Sequence, residues 1–328
     1  EPANSICQRL IDKRTWSRSL TFIGVNPLKT IILLADQGLP AHPAIWERPR
    51  PLWNVAGKTI IGHLLDLLRD VLTDDVIFVV DPADGVEGWI QENHPQLTAH
   101  FVSQPAEEGQ AQALALCHEH LDEKAVLVVA GLVIAEAAFD KLDRMGADVV
   151  QLTPPETAVS PSSTATIGWF RNGRILHQTL ASLDPTATLH DICQEMREGG
   201  TAVTTVPAQL WLETHTPEAL LHANQRLLGL GYGVTPDAIE RSYAEDFTVL
   251  PPVFIDEDAY VEAAVVGPYA SVYAGAVIKS AIVRHSIIAA DAQVENCILD
   301  GALVGERAKI TGRAASFFIG DDSVAEMG

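Results

Sequence analysis

Residues 255–310 read IDEDAYVEAAVVGPYASVYAGAVIKSAIVRHSIIAADAQVENCILDGALVGERAKI. An aliphatic residue returns at Ile255, Val261, Val266, Val272, Ile278, Val283, Ile288, Val294, Leu299, Val304 and Ile310, in steps of 6, 5, 6, 6, 5, 5, 6, 5, 5 and 6. Alanine stands four positions after many of them, at Ala259, Ala270, Ala276, Ala292 and Ala308. A period of 3.6 would scatter these positions around a whole helical cylinder. Hexapeptide-like spacing is instead the mark of a parallel β-helix, in which each short strand points one aliphatic residue inward and a small residue fits the corner. At about 18 residues per coil the segment makes three to four coils. So short a stack leaves a flank that is expected to dock on the rest of the chain or on another subunit.

Upstream the pattern changes. Pro236 to Pro252, polar over Ile239–Thr248, reads as a connection, and Thr216–Leu228 before it reads as a helix. Thr216 supplies the N-cap, Pro217 the first helical position and Glu218 an acid in the first turn. Between Lys29 and Val150, short apolar runs alternate with helical periodicity. Thr30–Ala35, Val76–Val80, Ala125–Ala130 and Ala147–Thr153 read as strands, the first three of them buried. Thr59–Leu72 places Ile60, Ile61, Leu64, Leu65 and Leu68 on one helical stripe, and Gln110–His120 and Glu136–Met145 follow the same period. That rhythm predicts a mostly parallel sheet with helices on both faces. Such sheets bind ligands beyond the carboxyl ends of their strands.

Composition narrows the function. The 328 residues carry 43 acidic and 22 basic side chains, a formal net charge of −21. That acidity argues against nucleic acid as a partner, because displacing counterions from phosphates takes a basic face. The longest apolar run, Ala125 to Ala135, is 11 residues, against the roughly 20 that a membrane-crossing helix needs. Cys7, Cys117, Cys193 and Cys297 are widely separated, which suggests neither a zinc cage nor a disulfide framework and points to a reducing, cytoplasmic setting. The first 30 residues hold five basic and two acidic side chains. An Arg-rich leader can be a targeting segment, but Ile6, Leu10, Ile11 and Trp16 favour a short packing helix.

Certain landmarks, taken in order, resemble the sugar-phosphate nucleotidylyltransferases that carry an appended left-handed β-helix, over residues 29 to 320. They are the strand leading into Asp36-Gln37-Gly38-Leu39-Pro40, then Pro49-Arg50-Pro51-Leu52 and Gly57-Lys58. Gln104-Pro105-Ala106-Glu107-Glu108-Gly109-Gln110 is similar to the base-recognition loop of the thymidylyl-transferring branch. Trp211-Leu212-Glu213-Thr214-His215-Thr216-Pro217 with Ala223-Asn224 is similar to the family's Trp-x-Asp-x-Gly-Thr-Pro…Ala-Asn segment. The resemblance implies a Rossmann-like nucleotidyltransferase domain at 29–234, after an N-terminal extension at 1–28. A linker at 235–252 and a left-handed β-helix of hexapeptide repeats at 253–328 complete the chain. It also implies Gly38, Arg50, Gln104 and Gly109 as nucleotide-binding candidates, Glu213 as a candidate metal ligand, and Mg²⁺ as cofactor if the chain is active.

Family chemistry joins a sugar phosphate to the α-phosphorus of a nucleoside triphosphate and expels pyrophosphate. That crowding of anions calls for Mg²⁺, cationic clamps and a glycine loop. This sequence departs from the pattern at each of those parts. Asp36 and Pro40 replace the loop's first glycine and its arginine, Arg50 replaces the clamp lysine, and Glu213 replaces an aspartate. Ala130-Gly131-Leu132 stands where a Gly-Asp pair ends the strand, the nearest acid being Glu136, and no Glu-Lys-Pro occurs. The expectation is a fold kept after its chemistry was lost: a regulatory, sensing or scaffolding subunit with a nucleotide or sugar-nucleotide ligand. It would assemble with itself or with an active paralogue. The alternative is an active sugar-1-phosphate nucleotidylyltransferase with relocated metal ligands at Glu136 or Glu213. Two further motifs are read as structural: Cys117-His118-Glu119-His120, whose neighbours on a helix face apart, and His285, whose position in a β-helix raises acyl transfer as a third possibility.

Overall fold

The computed structural model describes residues 28–34, 48–69, 75–104, 109–156, 165–240 and 246–312. The chain divides into two compact units, Glu1–Arg226 and Leu227–Gly328.

Seven strands form the sheet of the first unit, in the order Val203–Pro207, Val149–Thr153, Thr166–Phe170, Val126–Ala130, Lys29–Leu33, Val76–Val80, Ala99–Ser103. All run parallel except Thr166–Phe170, which is antiparallel to both neighbours. Successive side chains leave opposite faces of a strand, and the core divides accordingly. Ile32, Phe78, Leu127 and Val150 face one way, against Ile61, Leu64 and Leu68 of the helix Ile60–Leu68 and against Ile90 of the helix Val86–Asn93. Ile31, Ile77, Val128 and Val149 face the other way, against the helices Gln110–Leu116, Gly173–Leu180 and Leu189–Glu198. The expected strands and the Ile60–Leu68 stripe form as read.

Two expected helices are shorter. Gln110–Leu116 breaks into a 3-10 turn at His118–His120. The 136–145 segment is instead a strand, Val133–Glu136, followed by a 3-10 turn, Phe139–Met145. Val133–Ala135 is a buried apolar run, and pairing with Leu210–Glu213 satisfies its backbone. That outweighs the helical spacing of the residues after it. Thr216 caps Pro217–Gly229 as expected, its Oγ1 accepting from Ala219 N at 3.1 Å. A capping box that the sequence reading passed over starts Leu189–Glu198. Thr188 Oγ1 accepts from Asp191 N, and Asp191 Oδ2 accepts from Thr188 N.

The second unit holds the coil. Three parallel sheets of four short strands each stack rung on rung, giving a left-handed β-helix of hexapeptide repeats. Val266, Val272, Ile278, Val283, Ile288 and Val294 point inward with no exposed surface. A turn of the coil takes 17 residues between Ile255 and Val272 and 16 between Val272 and Ile288, not 18, because the five-residue steps each shorten a corner. Left-handed backbone recurs once per corner, in columns at Asp246, Ala263, Ser280 and Asn296, at Tyr269, His285 and Gly301, and at Gly275, Asp291 and Arg307. Asp and Asn tolerate that conformation better than most residues. The first rung begins at Thr248, within the stretch read as a connection.

Among the described residues no helix is long and apolar enough to cross a membrane.

Candidate functional site

The strand order turns back at Lys29–Leu33: the chain moves out to Val76–Val80 and Ala99–Ser103, then returns to place Val126–Ala130 on the other side. Ligands of open α/β sheets bind beyond the carboxyl ends of strands at such a switch point. The candidate Gln104, and Gly131 where the family's Gly-Asp pair is missing, lie along that edge. Gln104 follows the outermost strand, its N–H donating to Val80 O at 2.9 Å. Gly131, with φ +91°, follows Val126–Ala130. Three strand spacings separate the two ends, about 14 Å, the scale of a nucleotide laid from base to phosphate.

Glu213 reaches this edge through an antiparallel pair in which it lies opposite Val133. Thr214 fixes the approach, since its N–H and its Oγ1 both donate to Leu132 O, at 3.2 and 2.8 Å. The Glu213 side chain is only 9% exposed; Trp211 Nε1 donates to its Oε1 at 3.4 Å, and His215 Nδ1 lies 3.3 Å from its Oε2. Glu136 sits at the opposite end of the same pair, across from Leu210. At about 3.3 Å per residue it is some 10 Å from Glu213 along the ladder, so the two acids are not brought together there.

Gln104 and Gly109 do meet: Gln104 Nε2 donates to Gly109 O at 3.1 Å. That bond orients the amide and leaves Gln104 Oε1 buried with no hydrogen-bond partner among the described residues. Gly109 is explained by close packing, because a Cβ there would lie 2.5 Å from Pro185 O and from Thr186 Cα. The same loop receives the first amides of the helix Gln110–Leu116. Ala111 N donates to Ala187 O and Gln112 N to Pro185 O, while Gln110 Oε1 accepts from Leu189 N. The helix start is thus capped by the chain's own groups.

Arg50 lies in a 3-10 turn, Arg50–Leu52, with only 9% of its surface exposed, its guanidinium 5.9 Å from the centre of the Trp53 ring. It is therefore a buried cation. The hairpin that follows it, Asn54–Val55 with Lys58–Thr59, turns through Ala56 and Gly57 at φ +43° and +82°. Two buried side chains pin this hairpin. Asn224 Oδ1 accepts from Ala56 N at 3.0 Å, and His63 Nε2 lies 2.8 Å from Val55 O. Burial pushes the His63 pKa down to about 4, so its ring is neutral and Nε2 carries the proton that the carbonyl accepts. Lys58 is paired with Asp66. The roles of Thr214, His63 and Asn224 were not read from the sequence. Asn224 was visible in the Ala-Asn match, but its partner Ala56 lies 168 positions away.

Gly38, with Asp36 and Pro40, lies outside the described residues, as do Pro105 to Glu108. Of the residues read as structural, Cys117 is buried and its thiol pKa is pushed up to about 12 by burial. The His118 and His120 rings pack near His177 and His100. His285 is a left-handed corner residue of the coil, its Nδ1 2.9 Å from Asp300 Oδ1 and its ring stacked on Tyr269.

The Mg²⁺ that the resemblance implies can be tested against these donors. Among the described residues no group of three or more His, Cys, Asp or Glu side chains is placed to hold a metal. At the end of Val126–Ala130, Gly131 and Leu132 offer no carboxylate to face Glu213, and the side chain beside Glu213 is an imidazole. A small, hard cation that takes oxygen ligands at near-octahedral geometry does not fit a paired-acid grip here.

Comparison with known proteins gives three curated relatives. The chain is 28% identical to CMP-5′-(3-aminopropyl)phosphonate synthase of Streptomyces rubellomurinus over 218 residues, 63% of this chain and 32% of that protein. It is 28% identical over 109 residues to the bifunctional protein GlmU of Methanocaldococcus jannaschii, covering 33% of this chain and 26% of that one. To GlmU of Psychrobacter arcticus it is 32% identical over 91 residues, covering 27% and 19%. The chain thus spans a third or less of the length of these relatives. No family model matches. Among solved structures, a Bacillus anthracis chain described as a glucose-1-phosphate thymidylyltransferase, in complex with sucrose, aligns with a TM-score of 0.48 at 16% identity, covering 60% of this chain and 94% of that one.

Proposed function

We propose that this protein binds a nucleotide or sugar nucleotide across the carboxyl edge of its sheet without transferring it, and serves as a regulatory, sensing or scaffolding subunit. The observation that carries this reading is that, among the described residues, one acid stands at the end of Val126–Ala130: Glu213 is held near Gly131 and Leu132, which supply no second carboxylate. Electrostatic contacts to a transition state are worth about 3–4 kcal/mol each. A site that lacks one acid and has Arg50 engaged with Trp53 is short of that stabilisation, although such effects do not simply add. Binding needs less, and the Gln104 amide remains along the edge.

Calorimetry of the full chain with CTP, UTP, dTTP, GTP and ATP, each with and without divalent metal, tests the binding half. One nucleotide is expected to bind; heat from none of them would sink the reading. The match to the CMP-phosphonate synthase over 218 residues favours a second reading, an active transferase joining a nucleoside monophosphate to a sugar 1-phosphate or to an aminoalkylphosphonate.

The coil's part in the proposal is assembly. Val265, Ile282 and Ile298 form one outward column on consecutive rungs, and Ile298 is 67% exposed. Beside it the charges are already matched, Arg284 pairing with Asp300 at 2.9 Å. A locally neutral apolar strip suits contact with a second copy of a chain whose net charge is otherwise −21.

A further inference from the structure

Only one histidine follows His222 in the sequence, and it stands at the margin of the coil's apolar strip. Ile282 and Ile298 point outward from paired strands on consecutive rungs. Two residues further along each strand, on the same face and about 7 Å away, are Arg284 and Asp300. The Asp300 carboxylate takes a neighbour on each oxygen, Arg284 Nε at 2.9 Å and His285 Nδ1 at 2.9 Å. The imidazole is thus faced by Asp300 from the next rung, by the Arg284 guanidinium across that carboxylate, and by the Tyr269 phenol ring, stacked 5.6 Å away from the rung before. With a neutral imidazole this group holds one cation and one anion. With a protonated imidazole it holds two cations and one anion. Histidine is the side chain whose ordinary titration falls between about pH 5 and 8.

We propose that His285 is a pH switch on the self-association of the coil: a neutral imidazole lets the strip meet a second copy, and protonation drives the copies apart. A second copy laid over Ile282 and Ile298 takes the adjoining Arg284, Asp300 and His285 out of water, and an unmatched charge opposes that transfer. The inference rests on reading the Val265, Ile282 and Ile298 column as the contact between copies. Its direction is the reverse of what the charge of the whole chain gives. Acidification lowers the net charge of −21, weakens the repulsion between copies and would by itself tighten their contact.

The test is sedimentation velocity of the full chain over a concentration series at about pH 8 and about pH 5.5, either side of the ordinary histidine titration. Association of the parent is expected to be at least about tenfold weaker at the lower pH. His285→Asn places a non-titrating amide at a left-handed corner (φ +48°) that asparagine tolerates, and is expected to remove that loss. His63 and the other histidines stay in this variant, so a pH effect of theirs would persist in it. Arg284→Gln is expected to reverse the direction, because Asp300 is then unmatched at the higher pH and matched by the imidazolium at the lower. A side chain with only a packing role would not reverse a pH dependence, so this variant keeps the test decisive if the asparagine variant is poorly folded. Three results overturn the inference and leave the assembly reading standing: equal or tighter association of the parent at the lower pH, a loss that persists in His285→Asn, or an unchanged direction in Arg284→Gln. A parent that is monomeric at both pH values removes the assembly reading and the switch with it.

Discussion

The coil and the cleft edge are built on opposite plans. In the coil, each inward side chain has an equivalent 16 or 17 residues away, and Val261, Ile278, Val294 and Ile310 do one job on four successive rungs. At the cleft edge no residue has an equivalent. Glu213 is placed by Leu132, the Arg50 hairpin by Asn224 and His63, and the helix after Gly109 by Pro185 and Ala187. Redundancy makes the coil a scaffold in which position matters more than identity. Single, long-range bonds make the edge a place where one substitution changes the chemistry and leaves the fold standing.

Breaking the coil should have the largest effect. Val283 has no exposed surface, and Val283→Asp buries an unpaired charge, a cost on the order of 4 kcal/mol or more. Urea unfolding of this variant should show the coil's transition lost or moved to much lower denaturant. Ile278→Ala, which only removes methyl and methylene groups, should cost about 2–5 kcal/mol.

At the edge, His63 should make stability depend on pH. Its folded pKa of about 4 lies below the ordinary 6.5, so the unfolded chain binds the extra proton between those values. The contribution is complete above pH 6.5 and is lost as pH falls toward 4, by roughly 3 kcal/mol across the window. Denaturant midpoints at pH 7 and pH 4.5 should differ by less in His63→Gln than in the parent.

Asn224→Ala should cost about 1–3 kcal/mol by stranding the buried Ala56 amide. It sharpens the contrast, because no neighbouring rung can take over the bond. The smallest stability effect should come from Ile298→Asp on the exposed column, within about 0.5 kcal/mol. Sedimentation velocity should nonetheless show it shifted to a smaller species than the parent; identical sedimentation would remove that column from the assembly.

The same contrast explains what the sequence disclosed. The coil was legible to the residue because its period lies in the chain itself, from Ile255 to Ile310. Only the residues per turn were overestimated, since a shortened corner leaves no signal in one rung. The sheet strands read as VIFVV and AVLVVA announced themselves through unbroken burial. Ala99–Ser103 and Val203–Pro207, at the two edges of the sheet, did not, being only partly buried with polar residues between apolar ones. Glu213 could be found by motif, but its separation from Glu136 could not: that depends on the register that sets it against Val133 and puts Glu136 at the far end. Nor did the chain order show that His63 and Asn224 grip the same hairpin, or that Arg50 is buried against Trp53.

The central claim is that this edge keeps a nucleotide and has lost its transfer chemistry. The direct measurement is pyrophosphate release by the full chain, at a concentration where calorimetry shows the nucleotide bound, with a sugar 1-phosphate or 3-aminopropylphosphonate as acceptor and Mg²⁺ or Co²⁺ present. The account predicts bound nucleotide and no release above the metal-only background. Turnover that disappears in Glu213→Ala would contradict it.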